Sequence, residues 1–474
     1  MALVITAALV PRAALQFRSP VLYVVGSRPY YATALQLVTG QEVDALSLRH
    51  TPGYPAFLVA VIGLFGIDPQ AISLVQHLLG VVSALLCLAL GTLLAGRLVG
   101  LAAGLVTALD TTLVVYEQHI LTETLFLTLL MAVLVLLVLG AQRRPGWLLV
   151  AAGLVIGLAA LTRPIGQTLV LAAPPGFLVH YRNWRTASVA SLLVAAGFLL
   201  TAGPWALRNT LTQAEVGVRH PGSTLLGTVM HERPYTRGFF TLDGGTDPDP
   251  LRNRARRIIE RMAPDEPDPL EMWTQLQQEL GVTPALANKL MGDVAIDTIT
   301  RHPQHYAAVF VLNVWDLFAL PRDEHYRDYV DRTEGRWPGR LLAPAVKSGA
   351  VPDLDPSKPT VAEQWELDRA AAVADFFRPT RAAPLMAGLF TVAVVGALLR
   401  TDRRALLIPA LAVLAIVVVN GIIAGDKPRY RYPLDPTIAT IAIAGAAIVA
   451  ETLAKPAFLR LARRRRWQVR APAG

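Results

Sequence analysis

Charged side chains are scarce in this chain of 474 residues. Asp, Glu, Lys and Arg make up 17% of the sequence and hydrophobic residues 53%, and the mean hydropathy is +0.43. A soluble globular domain carries more charge than this. A soluble helix also needs a regularly recurring polar face, whereas the apolar stretch 125–140 contains no charged residue. The scarcity of charge therefore argues against a soluble protein and favours a membrane-embedded one.

Cysteine is also nearly absent. Cys87 is the only one, so the chain has no internal disulfide, and its place inside an apolar block is typical of a small buried residue without a chemical role.

Long apolar blocks are what the sequence does have. Blocks of about 18 residues or more are long enough to span a bilayer as helices. The candidate spans are a short N-terminal segment that contains Arg12, and the segments 70–95, 98–116, 119–140, 147–162, 166–181, 186–206, 383–399, 405–424 and 434–453. Two shorter apolar stretches, 53–67 and 305–320, predict interfacial or re-entrant helices. The sequence thus predicts an all-α polytopic membrane protein with about ten transmembrane helices.

The placement of basic residues predicts the orientation of these spans. If each of the ten crosses once, every short basic connection falls on one side, including the C-terminal run Arg463–Arg466. The positive-inside rule makes that side the cytoplasm. We therefore expect a bacterial plasma-membrane protein with both termini cytoplasmic and its active site on the outer face. The terminal basic run suits membrane lipids, and we expect no nucleic-acid partner.

This topology predicts four regions. Residues 1–206 form an N-terminal transmembrane module with a first outer loop at 17–69, and 207–382 form a small, mostly helical extracytoplasmic domain that includes the interfacial helix 305–320. Residues 383–453 form a C-terminal transmembrane module, and 454–474 form a basic cytoplasmic tail.

One short outer turn has the wrong charge for its side. The segment Asp426–Pro433 carries three cations, Lys427, Arg429 and Arg431, beside tyrosines and prolines. An anionic ligand explains cations held at this face, and arginines that snorkel at the headgroup boundary are the alternative.

Further ionisable residues lie near the predicted outer ends of spans: Glu117, His119, Glu123, Arg163 and Arg208. Such residues are costly at membrane depth and tend to mark a site. Carboxylates together with arginines suit chemistry on a lipid-linked phosphate.

A series of short motifs runs along the chain in a fixed order. They are Tyr30, Gly40, Arg49-His-Thr-Pro-Gly-Tyr-Pro55, Thr122-Glu123, Leu161-Thr-Arg-Pro164, Pro204-Trp-Ala-Leu-Arg-Asn209, His302-Pro303 and Arg429-Tyr-Arg-Tyr-Pro-Leu-Asp-Pro436. The series resembles the GT-C glycosyltransferases, in particular the protein O-mannosyltransferases and the transferase that adds aminoarabinose to lipid A. The resemblance implies a GT-C-like helix bundle, a polyprenyl-phosphate sugar donor, inversion at the anomeric carbon, and a catalytic base in the first outer loop.

Inverting transfer from a sugar phosphate needs a base and positive charge. The charge stabilises the departing phosphate, and the candidates are Lys427, Arg429, Arg431, Arg163 and Arg208. The base takes the proton of the acceptor hydroxyl. The residue at the family's usual aspartate position is Gly26, so the candidate bases are Glu123, Glu42 and Asp44. The residues expected to contact substrate are Tyr30, Arg49, His50, Tyr54, Glu117 and Tyr430.

Gly26 leaves three interpretations open. Another acid acts as the base, the loop aligns differently with its relatives, or the protein binds the lipid donor without transferring the sugar. A transporter or flippase is less favoured, because the chain shows no internal repeat. No cofactor is predicted, although the acidic outer loops are compatible with a divalent metal. The acceptor is a glycan, a lipid or a protein, and the sequence does not name the sugar.

Overall fold

The computed structural model describes most of the chain, and nearly all of its regular structure is helical, which confirms the predicted all-α membrane fold. The described residues are 1–18, 21–23, 25–43, 50–143, 146–213, 222–230, 249–263, 269–319, 340–342, 388, 390–395, 401–423 and 432–468.

Ten helices occupy the first 213 residues. They are α1 (Ala2–Arg18), α2 (Arg28–Thr39), α3 (Gly53–Phe65), α4 (Pro69–Ala95), α5 (Arg97–Ala108), α6 (Thr111–Tyr116), α7 (Glu123–Arg143), α8 (Gly146–Thr162), α9 (Thr168–Tyr181) and α10 (Trp184–Gln213). Short 3₁₀ turns at Val25–Ser27 and Pro164–Gln167 precede α2 and α9.

Seven further helices are bounded within the described residues. They are α11 (Gly222–Met230), α12 (Pro250–Met262), α13 (Pro269–Leu280), α14 (Pro284–Arg301), α15 (Pro303–Ala319), α16 (Leu407–Ile423) and α17 (Asp435–Gln468). A 3₁₀ turn at Thr401–Leu406 leads into α16. One small antiparallel pair joins β1 (Val21–Tyr23) to β2 (Arg340–Leu342), with Val21 opposite Leu342 and Tyr23 opposite Arg340.

Two of the predicted spans have wrong boundaries. The segment 98–116 is two helices, because the Asp110 side chain accepts hydrogen bonds from the backbone N–H groups of Thr112 at 3.0 Å and Leu113 at 3.4 Å. A cap of this kind starts a new helix. The segment 119–140 becomes helical only at Glu123, since residues 117–122 form a connection between α6 and α7.

Four helices among the described residues are long and apolar enough to span a membrane. They are Pro69–Ala95, Glu123–Arg143, Trp184–Leu211 and Arg404–Ile423. Helices α3, α5 and α8 are apolar but shorter. The number of ten spans stays a prediction. Of the candidate span 383–399, the structure describes only residue 388 and residues 390–395.

The two largest apolar clusters among the described residues define two packed regions. The larger one lies among α4, α7, α8, α9, α16 and α17, with Met131 and Phe177 fully buried in it. The smaller lies among α11 to α14 and includes Leu226, Met272 and Met291. In the smaller cluster, burying each such side chain away from water contributes about 1.5–3 kcal/mol. Helices α11 to α14 therefore form a unit with its own core, called here the 222–301 unit.

Side chains from α11 and α15 cap the last turn of α16. Asn313 donates to the Gly421 carbonyl at 2.9 Å, Tyr306 donates to the Ile422 carbonyl, and Thr228 donates to the Ile423 carbonyl at 2.6 Å. The last four carbonyls of a helix have no partner within the helix. Three of them in α16 accept hydrogen bonds from side chains of the earlier helices α11 and α15. These bonds fix the end of α16.

Candidate functional site

Two of the sequence motifs meet at one end of the bundle. The Thr51 hydroxyl donates to the Thr162 carbonyl at 3.2 Å. Beside it, Gly53 packs so closely on the chain that an added Cβ would lie 2.7 Å from the Leu161 carbonyl carbon and 2.8 Å from the Thr162 nitrogen. Only glycine permits this approach of two backbones. The start of α3 is therefore seated directly on the end of α8.

A buried ion pair lies at the same end. Arg12 of α1 contacts Glu117, which ends α6, with 2.7 Å between Nη2 and Oε1 and only 2% of either side chain exposed. His77 of α4 donates from Nδ1 to the other carboxylate oxygen at 2.8 Å, since that oxygen can only accept. Both oxygens of Glu117 are thus engaged inside the protein.

The neighbouring residue on α4 extends this network. Gln76 donates from Nε2 to the carbonyls of Glu117 at 2.9 Å and His119 at 2.8 Å. It accepts a hydrogen bond from the Tyr54 hydroxyl at 2.8 Å. Since Gln76 and Tyr54 are fully buried, these bonds satisfy polar groups that would be costly to leave unpaired. They connect α3, α4 and the 117–122 connection.

A second carboxylate–arginine pair lies at the start of α7. Glu123 and Arg163 are 3.0 Å apart, between Oε1 and Nη1, with 6% and 12% of their side chains exposed. The other Glu123 oxygen accepts a long hydrogen bond of 3.4 Å from the Thr122 hydroxyl. Arg163 also lies over the Phe126 ring, 5.7 Å from its centroid. The structure therefore joins a predicted base to a predicted phosphate-binding residue.

A small cleft is bounded by the residues of both carboxylates. Its lining consists of Leu113, Tyr116, Glu117, Glu123, Thr124, Leu127, Tyr432 and Pro433. The rings of Tyr116 and Tyr432 are 4.6 Å apart. Acidic, aromatic and apolar groups thus converge from α6, α7 and the residues just before α17.

Aromatic residues of the first loop form a cluster beside this cleft. The Tyr30 ring packs edge-on against His50 at 4.9 Å and Tyr54 at 5.4 Å between centroids. In the same loop burial raises the pKa of Tyr31 to about 12, and the charge of Asp68 adds to the effect. Three predicted substrate-contacting residues are thereby brought together.

Other predicted site residues lie apart or outside the described residues. Glu42 is exposed after α2. Arg208 of α10 lies over the Trp205 ring at 4.7 Å and donates to the Asn209 side chain. The residues Asp44, Arg49, Lys427, Arg429, Tyr430 and Arg431 lie outside the described residues. Within the described part of the chain, no three His, Cys, Asp or Glu side chains gather as a metal ion would require.

The sequence interpretation missed Arg12, Gln76 and His77 as members of the site. Each is a polar residue inside an otherwise apolar helix, and such residues tend to be functional at membrane depth. That signal was present for Arg12 and His77, but nothing in the sequence indicated that both would reach Glu117.

Comparison with known proteins gives one family match and several similar structures. Residues 49–207, about a third of the chain, match the family described as dolichyl-phosphate-mannose-protein mannosyltransferase. A comparison with curated protein sequences finds no match.

Two solved structures are among those to which this chain is similar. The crystal structure of ArnT from Cupriavidus metallidurans bound to undecaprenyl phosphate is 14% identical with a TM-score of 0.40, over 94% of this chain and 77% of that one. The archaeal oligosaccharyltransferase AglB from Archaeoglobus fulgidus, in complex with an inhibitory peptide and a dolichol-phosphate, is 12% identical with a TM-score of 0.47 over 97% of this chain. The alignment covers 51% of AglB, so this chain spans about half its length. The family resemblance predicted from the sequence is confirmed over residues 49–207, which are similar to the dolichyl-phosphate-mannose-protein mannosyltransferases.

Proposed function

We propose that this protein is a membrane glycosyltransferase that moves a sugar from a polyprenyl-phosphate donor to an extracytoplasmic acceptor with inversion. The observation that carries the proposal is the cleft that Glu123 and Tyr432 both line. Tyr432 directly follows Arg431 in the chain, the last cation of the predicted phosphate-binding turn. The family match over residues 49–207 supports the same function.

Glu123 is the proposed general base. Its Oε1 contacts Arg163, and among the described residues its Oε2 accepts the long bond from Thr122, so this oxygen retains capacity for a substrate hydroxyl. In the reaction the acceptor hydroxyl gives its proton to Glu123 as the oxygen attacks the anomeric carbon. The bond from that carbon to the phosphate oxygen breaks, and the phosphate leaves with the electron pair. Attack from the face opposite the phosphate inverts the configuration.

Glu117 does not suit the role of base. Both of its oxygens are bonded to buried partners, Arg12 and His77, and only 2% of its side chain is exposed. We therefore assign it to shaping the cleft wall rather than to proton transfer.

Arginine and lysine side chains are proposed to stabilise the departing phosphate. We retain Lys427, Arg429 and Arg431 for this role because they shortly precede Tyr432 in the sequence, and Tyr432 lines the cleft. Positive charge placed where the leaving group accumulates negative charge lowers the barrier. Arg163 contributes less directly, since it is already paired with Glu123.

The second candidate function is donor binding without transfer. Gly26, at the family's usual aspartate position, lies in a 3₁₀ turn and supplies no carboxylate. The Glu123 Oε1 is also already paired with Arg163, which leaves one carboxylate oxygen for a substrate. A subunit that holds a lipid phosphate for a partner enzyme would have these features.

Transfer assays with matched variants distinguish the two functions. Purified protein in lipid is incubated with a panel of radiolabelled undecaprenyl-phosphate sugars and with membrane glycans, lipids and proteins as acceptors. We expect the wild type to transfer the sugar. The transfer rate of Glu123→Gln should fall by about 10²–10⁴-fold, because the general base is removed. Arg429→Ala should bind the donor more weakly. Glu271→Gln, which changes an exposed carboxylate at the start of α13, is the control and should act as wild type. A parallel reaction with EDTA tests metal dependence.

Each outcome has a direct interpretation. Donor binding without turnover in the wild type would favour the second candidate. Wild-type protein that binds none of the donors would refute both candidates. Full activity in Glu123→Gln would refute the assignment of the base.

A further inference from the structure

We propose that Arg12, Gln76 and His77 are positioning residues that hold the 117–122 connection, and through it Glu123, in its active place. These three are called the anchor residues. The inference deepens the proposed function, since it depends on Glu123 being the reacting group, but the anchoring itself can be measured without any reaction.

The three anchor residues all bond to the same short segment, the 117–122 connection. Arg12 and His77 contact the Glu117 carboxylate at 2.7 and 2.8 Å, and Gln76 donates to two carbonyls within the connection. The anchor residues belong to α1 and α4, so an irregular segment is bonded to two rigid helices. It is thereby prevented from moving as loops usually do.

Arg12 also bridges the chain on either side of α6. Its Nη1 donates to the Ala108 carbonyl at 2.9 Å, at the end of α5, while its Nη2 contacts Glu117 at the end of α6. The six residues of α6 are too few to be stable as an isolated helix. A single guanidinium from α1 therefore holds the residues that flank a helix lining the cleft.

Stability alone does not account for this network. A buried ion pair is often no more stabilising than apolar residues of the same volume, because both charges lose their hydration. An apolar contact would bury the same surface without fixing the direction of the 117–122 backbone. Hydrogen bonds to two carbonyls and a carboxylate do fix that direction, and Thr122 and Glu123 follow at once in the chain.

Positioning has a kinetic consequence that distinguishes it from substrate binding. A base misplaced by about 1 Å can slow a reaction by about 100-fold. The donor phosphate does not contact the anchor residues in this proposal. Loss of an anchor should therefore lower kcat and leave the KM for the donor almost unchanged.

The test compares four variants by amide hydrogen exchange and by transfer kinetics. Arg12→Met removes the charge and Arg12→Lys keeps it. Gln76→Met removes three hydrogen bonds, two donated to the connection and one accepted from Tyr54, without leaving a charge unpaired. Arg18→Met, at an exposed arginine on the same helix, is the control. If Arg12→Met does not fold, Gln76→Met provides the same measurements with the ion pair intact.

We expect faster exchange in residues 117–122 of Arg12→Met and Gln76→Met, together with a fall in kcat of about 10–100-fold and a donor KM within about twofold of wild type. Arg12→Lys should recover part of kcat, and Arg18→Met should match the wild type. Unchanged exchange in both anchor variants would overturn the proposal, as would faster exchange with an unchanged kcat.

A wild-type protein without transferase activity would refute the proposed function rather than the anchoring. Hydrogen exchange then decides the anchoring alone. Faster exchange confined to the anchor variants would support it, and exchange equal to that of Arg18→Met would refute it.

Discussion

Adding one methyl group at Gly80 should separate the buried ion pair without removing a charge. Gly80 lies on α4 next to Arg12 and Glu117. A Cβ at this position would lie 2.0 Å from Glu117 Oε1 and 2.6 Å from Arg12 Nε. Real Cβ atoms essentially never come this close to another heavy atom. The Glu117 side chain can rotate away, but it then loses Arg12 and His77.

The size of the effect follows from two opposing terms. Breaking a buried ion pair so that its charges are left uncompensated costs about 3–5 kcal/mol. Alanine within a helix is more favourable than glycine by about 1 kcal/mol. We therefore expect Gly80→Ala to lower the free energy of unfolding by about 2–4 kcal/mol.

Unfolding by SDS titration in mixed micelles, followed by circular dichroism, measures this difference. The matched control is Gly63→Ala in α3, where an added Cβ meets nothing within 4 Å. The control should be as stable as the wild type or slightly more stable. Neutral surface substitutions change the free energy of unfolding by no more than about 0.5 kcal/mol. If Gly80→Ala and the control differ by less than this, the Arg12–Glu117 pair does not pack against Gly80.

Two further predictions concern other contacts. Gly53→Ala should lower the free energy of unfolding by about 1–3 kcal/mol, because the new Cβ would meet the backbone of α8 at 2.7 Å; the same titration measures it, and stability equal to Gly63→Ala would contradict it. Burial opposes the ionisation of Asp297, but its hydrogen bond with Arg256 and the charges of Arg256 and Arg301 outweigh this and lower its pKa below the ordinary value of 3.8. The ionised form thus stabilises the 222–301 unit above that value, and this stability is lost as the pH falls through the lower pKa of the folded state. Asp297→Asn should accordingly lower the melting temperature at pH 7 and have little effect near pH 2, and an equal effect at both pH values would refute the assignment.

Much of the fold could be predicted from hydropathy. Helices α4 and α8 match the predicted spans 70–95 and 147–162 closely, because each is a long, mainly apolar block without Asp, Glu, Lys or Arg. The break at Asp110 was missed because one polar residue changes an average hydropathy very little. A side-chain cap acts at a single residue, so it has to be recognised from Asp-Thr-Thr itself rather than from a window.

The candidate site was predictable in its members more than in its contacts. Glu123 and Arg163 stood out as ionisable residues near the ends of apolar blocks, yet their mutual contact depends on how α7 and α8 pack. Arg12 and Glu117 are 105 residues apart in sequence. A pairing over that separation is decided by the packing of α1 against α4 and α5, which no local pattern records.

The capped end of α16 has a consequence for the order in which the protein is made. Thr228, Tyr306 and Asn313 precede their acceptor carbonyls by 195, 116 and 108 residues. At about 5–20 residues per second of synthesis, these donors wait roughly 5–40 seconds before α16 exists. During that time the 222–301 unit can form its own core, but it lacks its attachment to the bundle. The 222–301 unit therefore completes its contacts with the bundle only after α16 is synthesised. A chain truncated before residue 407 should keep the folded unit and lose its attachment to α16.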